Sequence, residues 1–139
     1  MKRLAIVTVA ALVAGAGASA QPFPGDPGLG VQRGMEQLNN SGQVGTVTLF
    51  AGGPNARVVV ELHGTRDGRT QAVRLYRGPS CDALAAAPVY VLTEMRSGRS
   101  VSLVKAPEST LLSGNYNAVV LSSTAPGAKP TACGHLYAS

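Results

Sequence analysis

A chain of 139 residues is long enough for one domain and little more. Twelve Lys and Arg against seven Asp and Glu give a formal charge of +5, too mild an excess to mark a nucleic-acid binder. With no Trp and only two Phe, a core has to be built mainly from Val, Leu and Ala, thin enough for a covalent cross-link to help.

Residues 1–20, MKRLAIVTVAALVAGAGASA, begin with the basic pair Lys2 and Arg3. An apolar run from Leu4 to Val13 follows, broken only by Thr8, and the stretch ends on Ala18-Ser19-Ala20. This is the pattern of a secretory signal peptide cut before Gln21, and it predicts a secreted or periplasmic protein. A membrane helix is the weaker reading, because the run falls short of the roughly 20 residues that span a bilayer. No cysteine lies near the cleavage point, which argues against a lipid-modified N-terminus there. No later segment is apolar enough to cross a membrane. Loss of Lys2 and Arg3 leaves ten Lys and Arg against seven Asp and Glu in the 119 residues that follow.

Residues 21–40, QPFPGDPGLGVQRGMEQLNN, hold three Pro and four Gly without alternation. They predict a flexible arm, with at most a helical turn near its end. From residue 41 to residue 139 the pattern becomes strands and tight turns. QVGTVTLF (43–50) alternates, and RVVVELHG (57–64) is rich in β-branched residues. TRDGRT is an Asp-Gly turn leading into a strand over about 69–77. PVYVLTEM (88–95) and SVSLVKA (100–106), joined by RSGR, read as a hairpin. STLLSGN (109–115) is a connector, YNAVVLSS (116–123) a strand, TAPGAKP a loop and TACGHLYA (131–138) a last strand. Seven or eight short antiparallel strands spaced near ten residues apart predict an all-β fold, a Greek-key β-sandwich or flattened barrel.

Export and an even cysteine count favour one intramolecular disulfide, and Cys81 with Cys133 is the only pair available within the chain. Two free thiols or a bridge between chains are the alternatives.

The order of these pieces resembles the Cu/Zn superoxide dismutase sandwich and the related secreted domains called CHRD. The matching stretches are RLYRGPSC (74–81), SGRSV (97–101), LLSGNYNAVVLSS (111–123) and ACGHL (132–136), and together the likeness runs from about Gly42 to Leu136. In that family an H-x-H pair on the strand before G-x-x-C binds copper, and the G-N-Y strand ends on another histidine ligand. The resemblance places Arg74 and Tyr76 at the first pair and Leu121 at the later ligand. A nearby position that is often histidine in the related domains is Gln71, and the stretch matching the zinc loop, between Arg77 and Pro88, offers only Asp82.

On a strand with a period of two, Val73 and Leu75 face the core while Arg74 and Tyr76 face outward. Arginine has no lone pair to give a metal, and a tyrosine of ordinary pKa near 10 is a poor ligand for copper or zinc. His63 and His135, 72 residues apart, cannot rebuild a centre that needs about three protein ligands. No G-x-S-x-G motif and no phosphate-binding glycine loop before a helix are present.

The sequence therefore predicts an exported, non-catalytic binding or structural module with no catalytic residues, no metal site and no cofactor. The alternatives are a superoxide dismutase-type metalloenzyme with a relocated site, or a secreted hydrolase. Arg66, Arg69, Arg96 and Arg99 lie on two R-x-G-R turns, with Arg74 and Arg77 on the strand between them. These six arginines are either solubilising charge or a patch for an acidic protein or an anionic cell-surface polymer.

Overall fold

The computed structural model describes residues 30–66 and 68–137, so the expected signal peptide (1–20) and the first part of the expected arm lie outside the described residues. Within them the chain forms ten strands and one short helix. In chain order these are β1 (Val31–Gln37), β2 (Val44–Gly52), β3 (Asn55–His63), β4 (Thr70–Gln71), β5 (Val73–Arg77), β6 (Tyr90–Val91), β7 (Met95–Arg96), β8 (Arg99–Val104), α1 (Glu108–Ser113), β9 (Tyr116–Leu121) and β10 (Pro130–His135). All pairings are antiparallel, in one curled sheet of order β4-β7-β8-β3-β2-β1-β10-β9-β5-β6. The all-β architecture is as the sequence predicts. The strand number is ten rather than seven or eight, because two expected strands each break in two and β1 forms in the stretch expected to be an arm.

β1 produces the curl. Its first five residues pair with β2 and its last two with β10, so one strand belongs to both layers. The bend brings β1 close to β10. A side chain at Gly134 would meet the Gly34 carbonyl oxygen at 2.5 Å and Met35 Cγ at 2.9 Å. Only a residue without Cβ allows that approach. The chain then crosses between layers three times, from β4 to β5, from β6 to β7 and from β8 to β9, which is how Greek-key connections are made.

The inner face encloses one core, with Val47, Leu49, Val58, Val60, Val73, Leu75, Leu111 and Leu136 all fully buried. The helix α1 packs on β2, β3 and β9 near the β2–β3 turn and drives Leu111 into the core. The opposite end carries a polar layer built around Gln71.

The second crossing is closed by side chains. Thr93 sits between β6 and β7; its amide donates to Ser102 Oγ at 2.8 Å, and its carbonyl accepts from Ser100 Oγ at 2.6 Å. Both serines are buried, so on β8 the hydroxyl side faces in while Val101 and Leu103 face out. The strand expected over 88–95 is thus two residue pairs joined by a passage from one layer to the other. Ser97 and Gly98, both at positive φ, form the turn of the β7–β8 hairpin, as RSGR predicts.

Two expectations need correction. The arm expected over residues 21–40 contains β1 in its second half, with Met35 buried. The Pro-rich composition hides this strand because its stability comes from backbone pairing on both sides rather than from apolar alternation. TRDGRT does not close a hairpin either. β3 is flanked by β2 and β8, and β4 pairs with β7 at the far edge of the first layer. The single strand expected over 69–77 is broken at Ala72, where the chain passes from the first layer into the second.

The disulfide joins Cys81 to Cys133 as expected. Closing a loop of 52 residues stabilises by roughly 4 kcal/mol on the chain-entropy view. The double variant Cys81→Ser, Cys133→Ser should lose about that much in urea denaturation. Deleting residues through Asn40 should abolish the cooperative unfolding transition, because β2 and β10 would lose their shared partner.

Candidate functional site

The outer face of the second layer is covered by two loops, 78–89 and 122–129. The first is held down by the Cys81–Cys133 bond, because Cys133 projects outward from β10. Under the loops lies a small apolar cluster of Ala72, Val119, Leu121 and Cys133, with Leu84 and Ala128 packed against it. Gly78 starts the first loop. A side chain there would meet the Ala83 carbonyl oxygen at 2.2 Å, so the loop folds back as tightly as it does only because that residue is glycine. The buried Asn117 anchors this start by donating from Nδ2 to the Gly78 carbonyl at 2.9 Å.

Between the two loops is a pocket of about 370 Å³, floored by β5 and β9. Arg74, Tyr76 and Leu121, the three positions that the resemblance matches to metal ligands, all line it. Leu84, Val119 and Pro126 supply apolar wall. Val73 and Leu75 are fully buried in the core, as the strand period predicts. Arg74 and Tyr76 do point to the other face, but the loops half-bury them instead of leaving them open to solvent. The Nε of Arg74 is buried and has no hydrogen-bond partner. A guanidinium, a phenol and an isobutyl group do not fit a copper or zinc ion. They offer one fixed positive donor, one hydroxyl and an apolar surface.

Gln71 is placed differently. It is 1% exposed and sits at the crossing between layers. Its Nε2 donates to Gln43 Oε1 at 3.0 Å and to the Leu121 carbonyl at 2.9 Å, with Thr131 Oγ1 at 3.4 Å. Thr131 in turn donates to the Val120 carbonyl at 3.2 Å. This polar layer ties β4, β9, β10 and the start of β2 together.

The histidines are separate from both. His63 is exposed at the end of β3. His135 faces Asn117, whose amide nitrogen is committed to Gly78, so the amide oxygen accepts and His135 Nδ1 carries the proton. Ser80 and Asp82 border the same small cavity as His135, yet Ser80 Oγ accepts from the Asp82 amide at 3.2 Å and no hydrogen bond joins it to the histidine. A nucleophile and base that act together need such contact. Among the described residues no three His, Cys, Asp or Glu come together as a metal site.

The six arginines do not form one group. Arg66 and Arg69 border a second pocket with Lys129, whereas Arg74 lines the first. Arg77 donates to Tyr116 Oη at 3.1 Å with its guanidinium over that ring. Arg96 and Arg99 face one another across the β7–β8 hairpin. The sequence alone does not point to Lys129. Its only signal is its place in the loop TAPGAKP, which walls both pockets.

The chain matches no known family, no characterised protein and no solved structure.

Gln71→Leu should destabilise the fold by about 1–3 kcal/mol, because it strands the Gln43 amide and the Leu121 carbonyl without a partner. Thermal unfolding measures this. The double variant Gln43→Leu, Gln71→Leu should recover part of that stability, since it removes both members of the pair.

Proposed function

We propose that the chain is an exported, non-catalytic binding module that resembles the Cu/Zn superoxide dismutase and CHRD sandwiches, with a pocket for a small organic anion where those domains keep metal. The observation that carries this reading is the buried, unpartnered Nε of Arg74 in a pocket that Tyr76 and Leu121 also line. A buried donor left unpaired costs about 1–3 kcal/mol. A carboxylate bound side-on would accept from Nε and one Nη together, the forked geometry that suits arginine. The apolar walls favour a ligand whose acid group is carried on an apolar body.

Benzoate serves as the probe. Its titration into the mature protein should shift the Arg74 Nε–H resonance in NMR. Arg74→Lys should weaken that binding by tenfold or more, because an ammonium lacks the fork. The triple variant Arg74→His, Tyr76→His, Leu121→His should acquire copper affinity that the native protein lacks, since all three positions line one pocket. Stoichiometric copper or zinc in the native protein would overturn the reading, and so would benzoate that leaves Arg74 unperturbed.

A further inference from the structure

The second pocket, of about 440 Å³, lies at the end of the fold opposite α1, where β2 begins and β3 ends. Three cations stand around it, Arg66 and Arg69 from one turn and Lys129 from the loop before β10. The two arginines are held in one tight turn, closed by the Arg69 amide donating to the Arg66 carbonyl at 3.2 Å. No carboxylate is among the described residues that line it. Asp67, between them in sequence, lies outside the described residues.

The floor is polar and already internally bonded. Ser41 Oγ donates to the Thr131 carbonyl at 2.5 Å, Asn39 Nδ2 donates to the Pro130 carbonyl at 2.9 Å, and Gln43 is held by Gln71. These bonds fix the shape of the cup and engage the Pro130 and Thr131 carbonyls, and three cationic side chains stand at its rim. Both pockets share one wall, Pro130. The cationic cup therefore borders the apolar Arg74 pocket directly.

We propose that the Arg66, Arg69 and Lys129 pocket is an oxyanion site that takes a phosphate or sulfate group. Two arginines and one lysine line a cavity large enough for a tetrahedral anion with room to spare. Arginine binds such oxygens through paired donors, and lysine adds a point charge. Pro130 also lines the cavity, so a phosphate carried as an ester can lay its organic part along that wall. This inference goes beyond the reading of the Arg74 pocket and stands without it.

The test is an NMR titration of the mature protein with inorganic phosphate, sulfate and phenyl phosphate at low ionic strength. Amides of residues 39–43, 64, 69 and 129–131 should shift, except at Pro130, which has no amide hydrogen. Arg66→Gln with Lys129→Gln should weaken phosphate binding about a hundredfold, roughly tenfold for each cationic donor removed. Both side chains are exposed, so the fold should survive. Arg74→Gln should leave inorganic phosphate binding unchanged, which separates failure here from failure of the benzoate reading. Phenyl phosphate binding more tightly than inorganic phosphate would identify the ester as the class of ligand, and equal affinity would identify the free anion. Absence of shifts at these amides, or equal phosphate affinity in the native protein and the double glutamine variant, would overturn the proposal.

Discussion

The shared pairing of β1 is the constraint on which the rest depends. Five of its residues hydrogen-bond to β2 and two to β10, and the bend between them turns a ribbon of strands into a closed shell. The closeness of the two backbones at Gly34 and Gly134 makes that bend possible. Once the shell is closed, a core of mostly Val, Leu and Ala can exclude water on its inner face without large aromatic residues. The polar layer around Gln71 and the two serines that hold Thr93 then finish the closure with hydrogen bonds where ladder pairing runs out.

Both candidate pockets are products of that closure. Curling exposes an outer face on β5, β9 and β10 that is too apolar to leave open, with Val119 fully buried and Leu121 nearly so. The disulfide pins one loop across this face and the loop 122–129 covers the other side. Coverage is incomplete around Arg74, whose charge resists full enclosure, and the gap is the pocket. The same second loop ends at Lys129, next to Pro130, so one segment of eight residues walls an apolar cavity on one side and a cationic one on the other.

Much of this fold is legible in the sequence because alternation and turn chemistry agree. β2, β3 and β9 appear there almost as they stand, and Ser-Gly marks the β7–β8 turn. β1 is not legible. Only Met35 of its seven residues is buried, and the stretch before it is rich in Pro and Gly. The break at Ala72 and the passage through Thr93 are hidden because a run of strand-forming residues does not reveal where a chain changes layers. Of the site, the alternation of Arg74 and Tyr76 against Val73 and Leu75 is readable. Their convergence with Leu121 comes from the resemblance, and the grouping of Arg66 and Arg69 with Lys129 needs the fold. That grouping joins residues 60 positions apart that only the crossing between layers makes neighbours.

β8 carries a consequence of a different kind. Its inward residues include Ser100 and Ser102, and its outward ones include Val101 and Leu103, the latter 69% exposed. Sliding the strand by one residue would exchange the two sets. Water avoidance alone sets the register only weakly, because the slip would bury Val101 and Leu103 but would also turn Arg99 inward and Val104 outward. The native register is held instead by two hydroxyl groups that bind the backbone of Thr93, a residue that must already be in place for them to bind. Alignment of this strand is therefore conditional on the arrival of the preceding segment. Oil-like attraction alone leaves the alignment of β8 weakly specified, and the Thr93 backbone supplies the remainder.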